Sequence, residues 1–270
     1  MIEKDQIYFS VIIPIYNREE FIEKTINSVL NQTYSKFQLI CVNDGSSDKT
    51  QQILNEFETK DSRIEIITLT KNCGRCIARN EGIKKAKGNW LCFLDSDDYY
   101  LDFHLEKLSK MIIRYKEYNA FCTSQINNEQ KGINETNIIN EKFIQLNIKS
   151  FLRGNPIQIN QLCIKKDINI LFPNERIPYG EDWLFFRLIC LNHTILKSNQ
   201  ITNVLVEHEN RSMNEMNWVK FVESNVKAGI YFANVVDDKW LKNKILSFSY
   251  LLGMNILLSY GFKKESYKYL

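Results

Sequence analysis

The chain has 270 residues, of which 44% are hydrophobic and 25% are charged. This length and composition are sufficient for a large folded domain and exclude a disordered chain. The net charge of only +3 argues against a general nucleic-acid-binding protein. The charge is uneven, because residues 239–270 contain six lysines and one glutamate and so carry +5, which leaves −2 for the rest of the chain.

The seven cysteines are an odd number, and several of them lie in apolar runs. The first residues, MIEKD, lack the features of a secretory signal peptide. Both observations predict a cytoplasmic protein without disulfides. Cys73 and Cys76 form a C-x-x-C pair, which can be a redox pair or half of a zinc site. No second C-x-x-C or histidine pair accompanies them, so we favour the interpretation that neither cysteine is functional.

The first hundred residues alternate short apolar runs with segments of helical periodicity. Four runs predict strands, at residues 9–13, 37–42, 64–67 and 90–94. Apolar residues at helical spacing follow each strand, within residues 21–30, 53–57, 77–83 and 105–115. Repeated strand and helix units with short connections predict an α/β fold, with a mainly parallel, twisted sheet covered by helices on both faces.

The second half has weaker patterns. Residues 161–165 and 194–206 predict two further strands, and the sequence beyond Trp218 is helical. Residues 245–262 are eighteen residues without a charge, close to the minimum for a membrane span. Because this run contains three serines and an asparagine, it is more typical of a helix packed on the protein.

Polar residues follow each of the four predicted strands. In parallel sheets, ligands bind outside the carboxyl ends of the strands, so these residues are expected to form one site. Asp95 and Asp97 are two residues apart and would face the same side of an extended segment, where they could hold Mg²⁺ or Mn²⁺ against a diphosphate. A solvated surface turn is the alternative for such a D-x-D tripeptide.

Two common nucleotide-binding motifs are absent from the sequence. No G-x-G-x-x-G follows the first strand, and the chain has no G-x-x-x-x-G-K-[ST] loop. A dinucleotide-dependent dehydrogenase and a P-loop NTPase therefore both lose support. The remaining hypothesis is a nucleotide site built on carboxylates and a metal.

Five motifs, in order and spacing, resemble the family 2 glycosyltransferases of the GT-A fold. They are VIIPIYN (11–17), SVLNQTY (28–34), VNDGSSD (42–48), NCGRCIARNEGI (72–83) and LDSDD (94–98). The resemblance implies transfer of a sugar from a nucleotide diphosphate sugar, of which a UDP-sugar is the first expectation, to an acceptor hydroxyl on a glycan or a lipid-linked saccharide. It also implies inversion at the anomeric carbon and Mn²⁺ or Mg²⁺ on the diphosphate.

The same resemblance implies a role for individual residues. Asp44 would accept a hydrogen bond from the ring N–H of the nucleobase, and Tyr16 would stack on the base, both of which suit uracil. Arg79 would steady the base or the pyrophosphate, since a forked guanidinium matches such oxygens. Taken alone, Tyr16 could pack in the core, Asp44 could form an Asx turn, and Arg79 could pair with Glu81 or Asp48 on the surface.

The remaining nucleotide and metal contacts are assigned in the same way. Asp95 would contact the ribose or a metal-bound water, and Asp97 would bind the metal directly. Pro14, Asn17 and Ser96 complete the implied nucleotide site. The sequence departs from the family at Asn43, where a second aspartate is common, which leaves the geometry of the base pocket open.

The segment PYGEDWLFFRL (178–188) resembles the family's E-D segment at the start of a helix. It implies that Asp182 is the catalytic base for the acceptor hydroxyl. A carboxylate at a helix N-terminus stays ionised at neutral pH, and although aspartate is a weak base, with an ordinary pKa of about 3.9, the hydroxyl becomes acidic as it attacks. The alternative is that Glu181 and Asp182 only cap the helix.

His208 occupies a position that resembles the H-x-x-S-x-S segment of many relatives, where it would bind the metal or the phosphates. Arg211 interrupts the register before Ser212, and a solvated loop histidine is the alternative.

A nucleotide-sugar pyrophosphorylase is disfavoured because it requires a G-x-G-T-R type of loop after the first strand, and this chain has no such loop there. A catalytically silent GT-A binding or interaction module stays open.

We therefore predict a GT-A domain over residues 1–210 and a C-terminal helical extension over 211–270. Residues 1–100 would be the nucleotide-binding half and 101–210 the acceptor half, with an irregular acceptor-facing insert at 127–160. The basic, aromatic segment 239–270 predicts a peripheral contact with the cytoplasmic face of an anionic inner membrane. The sequence does not specify the sugar, the acceptor, the linkage or the oligomeric state.

Overall fold

A computed structural model describes residues 4–128, 141–152, 154–174, 177–209 and 217–269. These residues form two compact units. The sheet unit consists of the described residues up to Leu146, with Ile157–Leu171 and His193–Glu207. The helical unit consists of the described residues of the segments 147–156, 172–192 and 208–270.

The sheet unit contains nine strands in the described part of the chain, in the order β3-β2-β1-β4-β8-β6-β9-β5, with β7 paired to β9. The strands are β1 (Phe9–Ile15), β2 (Phe37–Asn43), β3 (Ile64–Thr68), β4 (Trp90–Phe93), β5 (Tyr99–Tyr100), β6 (Ala120–Asn127), β7 (Phe143–Leu146), β8 (Leu162–Lys165) and β9 (Ile195–Leu205). The six predicted strands are therefore present, within one or two residues of their expected ends.

Four helices of the sheet unit follow strands, as the apolar spacing predicts. They are α1 (Ile22–Leu30), α2 (Thr50–Lys60), α3 (Arg75–Lys85) and α4 (His104–Arg114). Helix α1 shows the physical reason, because its buried residues Ile22, Thr25, Ile26 and Val29 recur at helical spacing and form one face. The predicted helical segments are confirmed.

The sheet has a parallel half, to which antiparallel strands are added. Strand β1 pairs in parallel with β2 and β4, and β2 pairs in parallel with β3. Strand β8 is antiparallel to both β4 and β6. Side chains of β1 pack on both faces: Val11 and Ile13 join the core cluster with α1 and α4, whereas a Cβ added to Gly82 of α3 would lie 2.5 Å from Ile12 Cγ2. The predicted α/β fold is confirmed.

The acidic segment after β4 is a turn. Strand β4 ends at Phe93, and the backbone N–H of Asp98 donates to the carbonyl of Asp95 at 3.2 Å. The prediction that Asp95 and Asp97 lie in an extended segment and share a face by strand alternation is therefore wrong. The turn is favoured because three polar residues follow Asp95, and short polar side chains stabilise turns.

The helical unit contains α5 (Glu181–Asn192), α6 (Trp218–Val235), α7 (Lys239–Ser259) and α8 (Lys263–Ser266). Asn217 and Asp238 cap α6 and α7 through side-chain hydrogen bonds to backbone N–H groups. A Cβ added to Gly229 of α6 would overlap Ser249 Oγ of α7, so the two helices approach closely. Within the described chain, no helix has the length and apolarity that a membrane crossing requires. The prediction of a packed helix is confirmed for α7.

Candidate functional site

The Asp44 carboxylate is fixed by the loop that precedes α3. Asp44 directly follows β2 and is 3% exposed. Its Oδ1 accepts a hydrogen bond from the backbone N–H of Cys73 at 2.7 Å, and its Oδ2 accepts one from Gly74 at 2.8 Å. Each carboxylate oxygen has two lone pairs, so both can accept a further donor. The partners of Asp44 lie about thirty residues away, so a local Asx turn does not explain this side chain.

Asn43 has the local role considered for Asp44. It is 1% exposed, and its Oδ1 accepts a hydrogen bond from the backbone N–H of Ser46 at 3.0 Å. Its Nδ2 donates to Gln51 Oε1 at 2.6 Å. An asparagine at this position therefore stabilises the loop after β2, because its amide satisfies a backbone donor and a side-chain acceptor together.

The end of β1 presents one exposed ring and one structural amide. Tyr16 is 43% exposed, so it is not a core residue and its ring is accessible to a ligand. Asn17 has φ of 50°, and its Oδ1 accepts a hydrogen bond from the Ser47 N–H at 2.9 Å, which ties the loops after β1 and β2 together. Pro14 is buried within β1 and contributes to the strand that supports this loop.

The buried Arg79 forms an ion pair with the partly exposed Asp95. Arg79 projects from α3 and is 1% exposed, and its Nη2 lies 2.8 Å from Asp95 Oδ1. Asp95 is 32% exposed, so the pair has a dry side and a wet side. The structure thus places Arg79 against the acidic turn and not on the protein surface. Its interpretation as a surface partner of Glu81 or Asp48 is wrong.

Asp97 is paired with an arginine that the sequence analysis gave no role. Its Oδ2 lies 3.4 Å from Arg18 Nη2, with the side chains 12% and 21% exposed respectively. Ser96 is buried between the two aspartates, and its carbonyl accepts a hydrogen bond from the Thr25 hydroxyl at 3.0 Å. Ser96 therefore contributes to the turn through its backbone.

The carboxylate oxygens at this turn are suited to a cation that binds together with a diphosphate. In the described residues, there is no group of three or more His, Cys, Asp or Glu side chains that could hold a metal. Asp95 and Asp97 offer carboxylates that are 32% and 12% exposed, whereas Asp98 of the same turn is 1% exposed. Mg²⁺ is commonly held by one or two carboxylates together with substrate phosphates, so the residues present fit a divalent cation bound to a diphosphate.

Two residues that hold the acidic turn have no assigned role in the sequence analysis. Asp98 is 1% exposed, and its oxygens accept hydrogen bonds from Asn160 Nδ2 at 2.6 Å and from the Val206 N–H at 2.8 Å. Asn160 Oδ1 in turn accepts the backbone N–H of Asp95 at 2.8 Å. Its place as a third acid after an apolar strand was a weak signal for Asp98, whereas Asn160 had none.

Asp182 lies in the helical unit, as the second residue of α5, and is half-buried. Its Oδ1 accepts a hydrogen bond from the Trp183 N–H at 2.7 Å, and its Oδ2 accepts one from Asn155 Nδ2 at 3.2 Å. The first bond has the character of a cap, and the second fixes the orientation of the carboxylate. Capping and proton acceptance are compatible, since each carboxylate oxygen has two lone pairs.

Arg187 is one turn further along α5 and is 2% exposed. Its Nε donates to the Phe151 carbonyl at 3.1 Å, and its guanidinium carbon lies 4.0 Å from the centroid of the Trp183 ring. Burial lowers the pKa of Arg187 to about 9, so the side chain stays charged at neutral pH. The stacked guanidinium holds the ring of Trp183, the residue that follows Asp182 in the chain.

His208 follows β9 and is half-buried. Residues 210–216 of the resembled segment, including Ser212, lie outside the described residues. The metal-binding role of His208 stays a prediction.

An α/β sheet with carboxylates and arginines gathered after its parallel strands is the architecture of GT-A sugar-nucleotide transferases. Residues 10–187 match the model of the family described as Glycosyl transferase family 2. The chain belongs to this family, as its five motifs predict, and its fold is GT-A.

The relatives differ in how much of their length this chain covers. The chain is 30% identical to an uncharacterized glycosyltransferase of Haemophilus influenzae over 234 residues, which are 84% of this chain and 86% of that protein. It is 32% identical to the poly(ribitol-phosphate) beta-glucosyltransferase of Bacillus spizizenii over 187 residues, which are 65% of this chain but only 28% of that protein. Because the match spans only 28% of the Bacillus spizizenii protein, the activity of that whole protein is not assigned to this chain.

Two solved structures have the same fold. S. aureus TarS 1-349, in complex with UDP-GlcNAc, matches 94% of this chain and 73% of its own chain with a TM-score of 0.71 and 23% identity. The mannosyltransferase PcManGT from Pyrobaculum calidifontis, in complex with GDP-Man and Mn²⁺, matches 98% of this chain and 74% of its own with a TM-score of 0.67 and 14% identity.

Proposed function

We propose that this protein transfers a sugar from a UDP-sugar to a hydroxyl of a glycan or a lipid-linked saccharide, with inversion at the anomeric carbon. The observation that carries the proposal is the grouping of Asp44, Arg79, Asp95 and Asp97 after the parallel strands β2 and β4 and on the adjoining helix α3. The proposal is supported by the UDP-GlcNAc bound to the TarS structure and by the glucosyltransferase name of the Bacillus relative.

The Asp44 carboxylate, as a hydrogen-bond acceptor, favours particular nucleobases. Its carboxylate can only accept hydrogen bonds when ionised, and its backbone partners fix its direction. Uracil, thymine and guanine each carry a ring N–H on the pairing edge, whereas cytosine has an acceptor nitrogen there. Asp44 should therefore bind uracil and discriminate against cytosine, while the exposed Tyr16 stacks on the base.

The diphosphate would lie at the acidic turn, beside the Arg79 and Asp95 pair. Asp97, with Asp95, would hold Mn²⁺ or Mg²⁺, which would neutralise charge that grows on the leaving diphosphate. Arg79 adds a fixed cation that is already desolvated, so its attraction for a phosphate oxygen or for the base edge is not weakened by water. His208 is retained in this proposal as a further contact to the metal or the phosphates.

Asp182 would accept the proton of the acceptor hydroxyl as its oxygen forms the new bond to the anomeric carbon. The bond from that carbon to the diphosphate oxygen breaks in the same displacement, through an oxocarbenium-like transition state. The N-terminus of α5 stabilises the ionised base, and Asn155 orients it.

The experiment that tests the proposal is calorimetric titration with UDP, GDP, dTDP and CMP, each with Mn²⁺ and with EDTA. We expect UDP to bind more tightly with Mn²⁺ and CMP not to bind. Asp44→Asn should weaken UDP binding, whereas Asp102→Asn, the same change at an exposed position, should not. Failure of all four nucleotides to bind would favour a silent interaction module instead.

A peripheral contact of residues 239–270 with an anionic membrane is part of the proposal for the acceptor. Trp240, Tyr260 and Tyr267 are 57%, 53% and 67% exposed, and six lysines lie in the same segment. Aromatic rings and lysines together favour the interface of anionic bilayers. Changing the three aromatic residues to serine should reduce co-sedimentation with phosphatidylglycerol vesicles. Tyr8→Ser, at a 37% exposed position, is the control; equal sedimentation would exclude the contact.

A further inference from the structure

Arg18 is held at the edge of the acidic turn by its backbone. It follows Asn17, whose positive φ of 50° turns the chain after β1. The Arg18 backbone N–H donates to Thr50 Oγ1 at 2.9 Å. The position of the Cα is therefore fixed from two sides, and the guanidinium reaches Asp97 from this anchored point.

The guanidinium of Arg18 uses few of its five donors. Nη1 donates to the Asn17 carbonyl at 3.1 Å. Nη2 lies 3.4 Å from Asp97 Oδ2, which is an ion pair and longer than an ordinary hydrogen bond. Nε is buried and has no hydrogen-bond partner among the described residues. The contact with Asp97 is thus mainly electrostatic, and no ordinary hydrogen bond ties Nη2 to this carboxylate.

The same carboxylate cannot serve Arg18 and a divalent cation equally well. A cation bound at Asp97 Oδ2 would repel a guanidinium 3.4 Å away. A diphosphate brought by that cation offers several charged oxygens, which match a planar fork better than one carboxylate oxygen does. Displacement of Arg18 from Asp97 and its capture by the diphosphate would therefore favour each other.

We propose that Arg18 is a diphosphate-binding residue that pairs with Asp97 while the nucleotide is absent and exchanges this partner for the diphosphate when a divalent cation binds Asp97. This inference rests on the proposed donor site and adds a residue to it. Loss of Arg18 should therefore change two affinities in opposite directions: the metal alone binds more tightly, and the nucleoside diphosphate binds more weakly. A structural role would weaken both.

The test compares Arg18→Gln with Arg63→Gln. Arg63 is a second ion-paired arginine of the sheet unit, 2.7 Å from Asp61, so its variant has the same change in charge outside the site. Free Mn²⁺ is measured by electron paramagnetic resonance without nucleotide, and UDP and uridine are titrated calorimetrically at a Mn²⁺ concentration that saturates the wild type and both variants. For Arg18→Gln we expect Mn²⁺ to bind about threefold to tenfold more tightly and UDP about tenfold more weakly, with uridine unchanged.

A second variant separates the charge of Arg18 from the shape of its guanidinium. Arg18→Lys, which keeps the charge but not the fork, should bind Mn²⁺ like the wild type and UDP more weakly. Unchanged Mn²⁺ and UDP binding in Arg18→Gln, with the wild type binding UDP, would overturn the inference and leave the proposed function intact. Absence of UDP binding in the wild type and in both variants would instead overturn the proposed function, and this inference with it.

Discussion

Asn160 Nδ2 donates a 2.6 Å hydrogen bond to the carboxylate of Asp98, which is 1% exposed. The same amide accepts the backbone N–H of Asp95, so one side chain spans the acidic turn. A buried carboxylate is tolerated only when donors surround it. The geometry of Asp95 and Asp97 therefore depends on a residue that precedes β8 and would not itself contact a ligand.

Replacement of Asn160 by alanine should destabilise the protein. It leaves the buried Asp98 carboxylate without one donor, which costs about 2–4 kcal/mol when a charged group is left unsatisfied. Urea unfolding followed by circular dichroism measures the change. Asn55→Ala, at an exposed position on α2, should change stability by less than about 0.5 kcal/mol; equal effects of the two changes would contradict this role.

Three glycines allow backbone strain to be separated from steric contact. Gly45 has φ of +70°, and an added Cβ would lie 2.6 Å from the Lys71 carbonyl carbon. Gly74 has φ of +92° with nothing within 4 Å, and Gly154 has neither feature. Changed to alanine, Gly74 should cost about 1–2 kcal/mol, Gly45 more than that, and Gly154 close to nothing. Thermal unfolding of the three variants ranks them, and a Gly154→Ala cost as large as that of Gly45→Ala would refute the assignment.

Stability should fall on mild acidification because of His104. Burial lowers the pKa of His104 from 6.5 to about 3, so between these values the unfolded chain binds a proton that the folded chain does not. The contribution is fully present above pH 6.5 and is lost as the pH falls, by about 1.4 kcal/mol per pH unit. Urea unfolding at pH 7 and pH 5.5 measures it. His104→Gln should lower stability at pH 7 but flatten the dependence, and an unchanged slope would count against this cause.

Asp182→Asn tests the assignment of the base. Amide nitrogen and oxygen cannot take up the hydroxyl proton, so turnover should fall about 100-fold or more while nucleotide binding stays nearly intact. Release of UDP from a UDP-sugar in the presence of acceptor measures turnover, and calorimetry measures binding. Asp237→Asn makes the same change at an exposed position of the helical unit and should be neutral. Full activity of Asp182→Asn would show that another group is the base.

Asp97→Ala is the corresponding test of the metal. Loss of this carboxylate should weaken UDP binding in Mn²⁺ but not in EDTA, because only the metal-dependent part of the binding uses Asp97 as a ligand. Calorimetric titration under both conditions gives the difference. A variant that still binds UDP more tightly in Mn²⁺, by the same factor as the wild type, would mean that the metal is held elsewhere.

Much of the fold was predictable because helices and strands are encoded by local spacing. The apolar run of β1 and the helical stripe of α1 are visible in a few consecutive residues, and the parallel order follows from their succession. The positions of Asp44, Arg79, Asp95 and Asp97 are likewise fixed by motifs of a few residues. The sequence by itself therefore determined the family and the α/β class, and it pointed to Asp44, Arg79, Asp95 and Asp97 as candidate site residues.

Only the tertiary structure decided how those residues are held. Asn160 meets Asp95 across 65 positions of the chain, and Arg18 meets Asp97 across nearly eighty. The acidic segment, expected to be extended, is a turn whose Asp98 accepts hydrogen bonds from Val206, directly after β9, and from Asn160, which precedes β8. Local periodicity carries no information on such pairs, since a hydrogen bond or ion pair between distant segments exists only after the sheet has brought its strands together.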